Sequence, residues 1–396
     1  MPSNGPAPKL GTVPRSASSS QGSSVFNLFG LLNTSTPNIE WTGPRKQVVI
    51  VGLGYAGARL AVKLDESPLS GKAFNVVAIE ANTRFWHSLA TMRALVNEEY
   101  ANKFALATDK VLTHEGARML MGTKVVDVTA GEVVTDKGEA IKYDYLVIAT
   151  GSTYHGTFIK APNGVDAALE SMAAVRKVIA QPEAKLVIVG AGLIGLEFAG
   201  EIKTAFPQTK VTVVDSNSDV LSTYSTYSQS AKDDVRGKLA ALGVEFLFNE
   251  RVVDAAALKD AATVEPRQIK LESGKVLESD AQLFAVGGMK PNSTAFNKGF
   301  LGGLLNGEGR IKVNKFLQVE GHDNIFAVGD INDVKVIKAA MRAGSEGENV
   351  AANLLTLIKG SAAGTPLNEY KISPAQDIAF VSLNPKAGTG FVRYDN

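Results

Sequence analysis

The amino-acid sequence predicts an α/β fold in which one strand–turn–helix–strand unit occurs twice. The stretch VVIVGLGYAGARL at Val48–Leu60 recurs, with the same glycine spacing, as LVIVGAGLIGLEF at Leu186–Phe198. In both places an apolar run rich in β-branched residues ends on glycine, as a doubly buried parallel strand would. A helix-compatible stretch follows each run. We interpret the recurrence as a duplicated Rossmann-like unit.

Each unit can be divided into the same three elements, and each closes on an acidic residue. The first unit is predicted to contain a strand at Gln47–Gly52, a helix at Ala58–Asp65 and a strand at Phe74–Glu80. The second is predicted to contain a strand at Lys185–Gly190, a helix at about Leu193–Ala205 and a strand at Lys210–Asp215.

Both halves continue into short strands and then into an apolar strand that ends in glycine. These strands are predicted at Tyr143–Gly151 and Ala281–Gly288. A third apolar strand is predicted at Asn324–Asp333, followed by a helix from Lys338 to about Ile358 and a strand at Ile378–Leu383. Since few residues remain after this helix, we predict a short C-terminal segment and no complete further domain.

The composition favours a folded protein that binds a small molecule. The chain has 396 residues, 45% of them hydrophobic, and 41 basic residues against 40 acidic ones. This balance provides no basic surface for nucleic acid, so we predict no nucleic-acid partner. There is no cysteine, which excludes disulfides and thiolate chemistry, and the four histidines lack metal-ligand spacing. We therefore predict no metal site.

Residues 1–45 are predicted to form a disordered leader or a weak organelle-targeting peptide. They are rich in Ser, Pro and Gly, with no acid before Glu40. Within them, VFNLFGLL at Val25–Leu32 is interpreted as a stretch that docks on the protein's own surface, with membrane contact as the alternative. The chain contains no run of about 18 apolar residues, so no transmembrane segment is predicted. Pro2 excludes N-myristoylation.

The two glycine sets have the order that a dinucleotide-binding turn requires. The first glycine makes the turn, the second lets the backbone approach a pyrophosphate, and the third allows close helix packing. The helix N-terminus then faces the phosphates, and an acid about 20 residues further on accepts ribose hydrogen bonds. These residues are Gly52, Gly54, Gly57 and Glu80 in the first unit and Gly190, Gly192, Gly195 and Asp215 in the second.

Two dinucleotide sites on one chain are explained most simply by FAD in one and a nicotinamide cofactor in the other. Asp215 bears on which nicotinamide cofactor is used. Its carboxylate would repel the 2′-phosphate of NADPH, and the following residues SNSD include no Arg or Lys to bind one. The sequence therefore predicts NADH rather than NADPH.

Beyond the glycines, the chain resembles the glutathione-reductase-like flavoproteins with two dinucleotide domains and, among them, the apoptosis-inducing factor family with its ferroptosis suppressor branch. The resemblance runs from about Gln47 to Tyr370 and is carried by FWHSLATMRALV, YLVIATGST, GLEFAGEIKTAFP and LQVEGHDNIFAVGDINDV. It implies FAD on the first unit and the nicotinamide cofactor on the second. The implied domains are an FAD-binding domain at 46–160 and 288–365, an NAD(P)H-binding domain at 161–287 and a truncated C-terminal domain at 366–396.

The resemblance also implies which residues bind the cofactors. Arg93 and Val125 would contact the flavin nucleotide, and Asp330 would bind the ribityl chain. A surface ion pair is the alternative interpretation of Arg93. The full implied set is Gly52, Leu53, Gly54, Tyr55, Ala56, Gly57, Glu80, Arg93, Val125, Thr150, Gly151, Gly190, Gly192, Gly195, Asp215 and Asp330.

Glu197 and Lys338 are the implied catalytic residues. The resemblance places Glu197 where nicotinamide and flavin would meet, although an acid on a first helical turn also suits the helix dipole. Lys338 would bring positive charge to the reduced flavin or to the acceptor's carbonyl oxygen, with a solvated lysine as the alternative. We interpret His87 as a packed histidine.

The absence of cysteine separates this chain from thiol-using flavoproteins. We expect an FAD-dependent NADH oxidoreductase whose flavin passes electrons directly to a diffusing acceptor, for which the resemblance implies a quinone. The alternatives are a redox-linked signalling protein of the apoptosis-inducing factor type and a biosynthetic oxidoreductase with a dedicated small substrate.

The expected location is the cytoplasm, with mitochondrial or peripheral membrane association as alternatives. The family's C-terminal portion extends past the position of Tyr394, so we expect either a more open acceptor site or a shortened gene product.

Overall fold

The structure, a computed structural model, describes residues 40–108, 110–154, 158–161, 163–222, 227–253, 262–360, 366–372 and 378–392. Residues 1–39 of the predicted leader, including Val25–Leu32, lie outside the described residues. Within the described ranges, no helix is long and apolar enough to cross a membrane. The same ranges contain no group of three or more His, Cys, Asp or Glu residues that could hold a metal ion.

Short strands and helices alternate along the described chain. In chain order, the strands are β1 (Lys46–Val51), β2 (Phe74–Glu80), β3 (Phe85–Trp86), β4 (Ala105–Leu106), β5 (Arg118–Met121), β6 (Val125–Val128), β7 (Glu132–Thr135), β8 (Ala140–Lys142), β9 (Tyr145–Ile148), β10 (Ser152–Tyr154), β11 (Lys185–Val189), β12 (Lys210–Val214), β13 (Val244–Leu247), β14 (Ala262–Thr263), β15 (Arg267–Lys270), β16 (Val276–Ser279), β17 (Ala281–Phe284), β18 (Met289–Pro291), β19 (Ile325–Ala327), β20 (Ile378–Asn384) and β21 (Ala387–Val392). The α-helices are α1 (Tyr55–Asp65), α2 (Thr91–Val96), α3 (Glu98–Phe104), α4 (Val165–Ile179), α5 (Leu193–Ala205), α6 (Gln229–Ala241) and α7 (Ala340–Ile358).

The first large sheet has the strand order β19–β9–β1–β2–β5. Every pairing in it is parallel. The central strand β1 is buried from Val48 to Val51, which explains its uninterrupted run of Val and Ile. Because β19 follows the entire second unit in the chain, the first sheet is built from residues on both sides of that unit.

The second large sheet has the order β13–β12–β11–β17–β14. Its strands pair in parallel except β14, which runs antiparallel to β17. Strands β11, β12 and β17 occupy the positions that β1, β2 and β9 occupy in the first sheet. The predicted α/β fold with two Rossmann-like units is confirmed, while the exact domain bounds stay a prediction.

The observed helices match the predicted ones closely, with a difference at two starts. Helix α5 has the predicted bounds, but α1 begins at Tyr55 and not at Ala58. The reason is Gly54, which adopts an extended conformation and caps the helix directly after the turn. Helix α7 begins at Ala340, two residues after the predicted start at Lys338.

Different C-terminal elements cover the two glycine-rich helices. Helix α7 crosses α1 so closely that a Cβ atom on Gly347 would overlap the carbonyl oxygen of Ala56. The hairpin β20–β21 lies on α5, where a Cβ atom on Gly200 would overlap the carbonyl oxygen of Leu383. Val381 and Leu383 are fully buried in this contact.

Candidate active site

One cavity of about 1920 Å³ is lined by residues of both units. Pockets for a single small molecule commonly measure about 300–1,000 Å³, so this cavity has room for two dinucleotides. The predicted site residues that line it are Gly52, Leu53, Gly54, Tyr55, Ala56, Glu80, Val125, Thr150, Gly151, Gly190, Gly192, Glu197, Asp215, Asp330 and Lys338. Gly57, Gly195 and Arg93 lie outside its lining.

The first glycine-rich turn joins β1 to α1 with a separate geometry at each glycine. Gly52 has a φ of +98°, donates from its N–H to Ile79 O at 2.7 Å, and leaves no room for a Cβ atom against Ala149 O. Gly57 lies so close to the Gly52 carbonyl that a Cβ atom would overlap it. A Cβ atom on Gly54 would meet no described atom within 4 Å. The three positions suit turning, packing and ligand approach.

The second turn repeats this geometry between β11 and α5. Gly190 has a φ of +110° and donates from its N–H to Val214 O at 2.8 Å. A Cβ atom on Gly195 would overlap the Gly190 carbonyl, whereas one on Gly192 would meet no described atom within 4 Å. The backbone of the second turn therefore fits the same class of ligand as the first.

The N-termini of α1 and α5 are open toward the cavity. Gly54 and Gly192 are the N-cap residues, and neither helix has a side-chain cap within the described residues. The first-turn N–H groups and the positive end of the helix dipole are therefore available to an anion. A pyrophosphate supplies such an anion, so both turns fit a dinucleotide.

An acid is fixed beside each turn by the residue that follows the first glycine. Leu53 N donates to Glu80 Oε2 at 2.6 Å, and Ala191 N donates to Asp215 Oδ2 at 2.6 Å. Burial raises the pKa of Glu80, although hydrogen bonds from Leu53 N and Asn82 N partly oppose that rise. Both carboxylates line the cavity and can accept hydrogen bonds from ribose hydroxyls.

Asp330 is held on the short 3₁₀ turn that follows β19. Its Oδ2 accepts hydrogen bonds from Ser152 Oγ at 2.6 Å and from Lys160 Nζ at 3.2 Å. Burial opposes ionisation, but Lys160 and Ser152 together hold the pKa of Asp330 below its ordinary value. The ionised carboxylate can accept hydrogen bonds from a polyol such as the ribityl chain.

Lys338 lines the cavity just before α7 begins. Its Nζ donates to Asn332 Oδ1 at 2.6 Å and to Gly329 O at 3.2 Å. These two bonds leave the third ammonium N–H for a group in the cavity. Burial lowers the pKa of Lys338, and the carboxylate of Glu346 opposes that change.

Glu197 is the fifth residue of α5, one residue later than the predicted first turn, and it lines the cavity beside the C-terminal hairpin. Ser382 N donates to its Oε1 at 3.1 Å. Burial raises the pKa of Glu197 to about 7, with a further rise from Glu201 and an opposing effect from the Ser382 hydrogen bond. This carboxyl group can therefore hold or release a proton near neutral pH.

Arg93, which is expected at the flavin nucleotide, forms an ion pair with Glu201. Its guanidinium donates to Glu201 Oε1 from Nη2 at 2.6 Å and from Nε at 3.2 Å. Arg93 lines a separate pocket of about 170 Å³ that it shares with His87. The ion pair gives the buried Glu201 a counter-charge, and the expected contact of Arg93 with the flavin nucleotide stays a prediction. His87 forms a hydrogen bond with the Tyr55 hydroxyl at 2.6 Å, and burial lowers the pKa of His87.

Thr150 and Gly151 tie the end of β9 to the segment after β18. Thr150 Oγ1 donates to Asn292 O at 3.0 Å, and Asn292 Nδ2 donates to Thr150 O at 2.9 Å. Asn292 N also donates to Gly151 O at 3.0 Å. Val125 begins β6 and lines the same cavity. These contacts fix one wall of the cavity between the two sheets.

Sequence reasoning missed three exposed apolar side chains in the lining of the cavity. Leu89, Met341 and Phe380 line the cavity while exposing 62%, 65% and 67% of their surface, respectively. We call these three residues the apolar rim. They come from segments far apart in the chain, so no sequence periodicity could have grouped them.

Sequence reasoning also missed Arg251, which lines the cavity in the second unit. Glu250 N donates to Asp215 O at 3.0 Å, which brings the following Arg251 into the cavity lining near Asp215. Its Nε lies 3.5 Å from Glu272 Oε1, and both side chains are exposed. Arg251 follows β13 and therefore lies outside the SNSD segment, the segment from which the absence of a residue for the 2′-phosphate of NADPH was predicted.

Comparison with known proteins agrees with this architecture. Residues 46–347 match a family model described as pyridine nucleotide-disulphide oxidoreductase. Apoptosis-inducing factor homolog A of Dictyostelium discoideum is 30% identical over 381 residues, covering 92% of this chain and 88% of that protein. Ferroptosis suppressor protein 1 of Homo sapiens is 32% identical over 352 residues, covering 87% of each. These matches confirm the resemblance drawn from the sequence.

Solved structures show the same fold at low identity. The covalent putidaredoxin reductase–putidaredoxin complex matches with a TM-score of 0.63 and 21% identity over 88% of this chain and 87% of that chain. Reduced Bacillus anthracis CoADR-RHD matches with a TM-score of 0.65 and 18% identity, covering 87% of this chain and 61% of that one.

Proposed function

Because the chain belongs to the pyridine nucleotide-disulphide oxidoreductase family, whose members use FAD and NAD(P)H, we propose that it oxidises NADH and reduces a quinone-type acceptor. The observation that carries this proposal is the shared cavity. Both glycine-rich turns, Glu197, Lys338 and the apolar rim line it together. A donor, a flavin and an apolar acceptor can therefore be held in one cavity.

The lack of thiols supports direct transfer to the acceptor. Disulfide reduction on this fold needs a cysteine pair beside the flavin, and peroxide reduction needs one cysteine. The chain contains no cysteine. An acceptor that takes two electrons without a protein thiol, as a quinone does, fits this composition.

The overall reaction consumes one proton, since NADH, a quinone and a proton give NAD⁺ and a hydroquinone. Bound FAD would supply the electron carrier, which takes a hydride from the nicotinamide and returns two electrons. Glu197 would hold the proton on its carboxyl group, because burial keeps the pKa of this group at about 7. Lys338 would direct its remaining N–H at the developing negative charge.

The apolar rim supports an acceptor with an apolar body. Three large side chains, Leu89, Met341 and Phe380, are exposed together at the cavity. Exposed apolar groups at a cavity mouth favour a ligand that covers them. A quinone ring with an apolar substituent meets this requirement better than a charged metabolite does.

NADH is the proposed electron donor. Asp215 presents a carboxylate where the adenosine ribose of a dinucleotide would lie, and this charge would repel a 2′-phosphate. Arg251 lies nearby but is paired with Glu272. We therefore expect slower use of NADPH, not complete exclusion.

An anaerobic reduction experiment tests this proposal. The purified protein is loaded with FAD, its visible spectrum is recorded, and NADH or NADPH is added with and without a water-soluble quinone. We expect a bound flavin, faster bleaching by NADH than by NADPH, and recovery of the flavin colour on adding quinone. Failure to take up FAD contradicts the cofactor assignment, and a bleached flavin that quinone does not reoxidise contradicts the acceptor.

A further inference from the structure

A buried carboxylate lies beneath the turn at the end of β19. Glu346, on α7, exposes 1% of its surface. Its Oε2 accepts two hydrogen bonds, one from Gly329 N at 2.6 Å and one from Asn332 Nδ2 at 2.6 Å. Neither the sequence motifs nor the proposed reaction gives Glu346 a role, although a buried acid is costly unless something compensates it.

Asn332 connects this carboxylate to the cavity. It is fully buried, and its Nδ2 donates to Ala327 O at 3.1 Å as well as to Glu346. With the amide nitrogen held on that side, Oδ1 faces the other way and accepts from Lys338 Nζ at 2.6 Å and from Val334 N at 3.2 Å. The hydrogen-bond partners thus fix which end of the amide faces the lysine.

We infer that Glu346 and Asn332 are positioning residues for Lys338, holding its ammonium group so that one N–H stays directed into the cavity. Glu346 acts through Asn332 and Gly329, the two residues whose oxygens accept the hydrogen bonds from Lys338. Gly329, whose carbonyl accepts the second bond from Lys338, has its own N–H held by the same Glu346 oxygen.

The packing of α7 supports this assignment. Gly347, the next residue after Glu346, lies against the backbone of Ala56 in α1, where no side chain fits. This contact fixes the position of α7 along α1, beside the first glycine-rich turn. It therefore also fixes Glu346 next to the N–H of Gly329. The lysine is thereby placed relative to the turn that would hold FAD.

Charge compensation supports the assignment as well. Lys338 is partly buried, and its cationic form is stabilised by the carboxylate of Glu346. Asp330 and Asp333 contribute in the same direction, while Arg310 opposes them. A leucine in place of Glu346 would remove this charge together with both hydrogen bonds, whereas a glutamine would remove only the charge.

A double-mutant cycle between positions 346 and 338 tests the inference, which rests on the proposed function for its kinetic readout. The FAD-loaded wild type is compared with Glu346→Leu, Lys338→Met, the double variant and Glu346→Gln. We expect Glu346→Leu and Lys338→Met each to lower kcat by about tenfold or more, with little effect on KM for NADH. The double variant should be no slower than Lys338→Met alone.

Glu346→Gln separates geometry from charge. Because a single oxygen of Glu346 accepts both hydrogen bonds, a glutamine can keep them, and we expect kcat to stay within about threefold of wild type. If Glu346→Leu does not retain FAD, Asn332→Leu is used in the same cycle, since it interrupts the connection and leaves Glu346 in place. A further loss of kcat in the Lys338→Met background would overturn the inference, because a structural defect acts whether or not the lysine is present.

The absorption spectrum and midpoint potential of the bound flavin provide a readout that does not need turnover. We expect Lys338→Met, Glu346→Leu and the double variant to shift both properties in the same direction and by similar amounts. If the wild type binds FAD but transfers no electrons to quinone, the proposed function fails while this pattern still tests the positioning role. A wild-type spectrum and potential in Glu346→Leu would contradict that role.

Discussion

The two units share one backbone design but differ in the element that covers the glycine-rich helix. In each, the third glycine packs under the carbonyl of the first, and the strand-end acid accepts a 2.6 Å hydrogen bond from the residue after the first glycine. Helix α1 is covered by α7, whereas α5 is covered by the hairpin β20–β21. The glycine-rich turn and its acid are therefore repeated in the two units, whereas the element that packs on the helix differs.

The covering element determines the contacts of the fifth residue of each glycine-rich helix. Arg59 and Glu197 occupy equivalent positions, each two residues after the third glycine. Arg59 Nε donates to Glu348 Oε1 of α7 at 2.7 Å, which ties two helices of the first unit together. Glu197 faces the cavity and meets only the backbone N–H of Ser382 among its described hydrogen-bond partners. One position is structural, and the other is available for chemistry.

The strongest test of this comparison disrupts each glycine-rich turn separately by replacing its third glycine. Gly57→Ala and Gly195→Ala each place a Cβ atom on a backbone carbonyl that cannot move away. We expect Gly57→Ala to lose FAD entirely, and Gly195→Ala to retain FAD but resist reduction by NADH. Flavin absorbance per protein and anaerobic bleaching measure the two losses. Gly237→Ala on α6, where a Cβ atom meets no described atom within 4 Å, is the matched control.

Neutralising the charged side chain at each of the two equivalent positions should distinguish a catalytic role from a structural one. We expect Glu197→Gln to lower kcat about 100-fold and Arg59→Gln to leave kcat unchanged while costing up to about 1 kcal/mol of stability. With a raised pKa of about 7, Glu197 carries its proton below that pH, so kcat falls as the pH rises through about 7. The glutamine variant should show no such fall. An unchanged pH profile of kcat in Glu197→Gln would remove Glu197 from the mechanism.

The two strand-end acids should differ in which cofactor depends on them. We expect Asp215→Ala to raise the ratio of kcat/KM for NADPH over NADH about tenfold, since a charge that repels the 2′-phosphate is removed. Arg251→Ala in that background should reverse part of the gain. Glu80→Ala should weaken FAD retention and leave the ratio unchanged. Steady-state kinetics with both nucleotides measures the ratio, and an equal ratio in all variants would contradict the assignment of the second unit.

The two covering contacts should give the smallest effects. Gly200→Ala pushes β20 from α5, and Gly347→Ala pushes α7 from α1, at about 1–3 kcal/mol each for overpacking. We expect Gly200→Ala to keep FAD and lower kcat by a few fold, because Glu197 loses its bond from Ser382. Gly347→Ala should weaken FAD retention instead. Thermal unfolding and flavin release distinguish the two, and identical behaviour would show that the covers are interchangeable.

The repeated cradle could be predicted because its determinants are local in sequence. Apolar runs that end on glycine predicted the strands. The spacing of the glycines predicted the turns and the start of α5. The sequence pattern missed the true start of α1 by three residues, since the N-cap role of Gly54 depends on the turn conformation. Even this miss arose within one local segment.

The rest of the site could not be predicted because it depends on contacts between distant segments. The ion pair of Arg93 is one such contact, because its partner Glu201 lies far away in the chain. Glu346 has no motif, and its position becomes meaningful only when α7 lies against β19. A helix-compatible stretch in the sequence does not reveal which of its polar residues will be buried.

The edge strand β19 leaves the ribosome only after the whole second unit has been synthesised. Residues 165–284 can therefore form their sheet on the nascent chain, while β1, β2, β5 and β9 wait for β19 and α7 to complete theirs. We expect ribosome-bound chains in which Pro291 has just left the exit tunnel to protect the second unit from protease and to leave the first unit sensitive. On this order of assembly, FAD capture is a late event in the biogenesis of the protein.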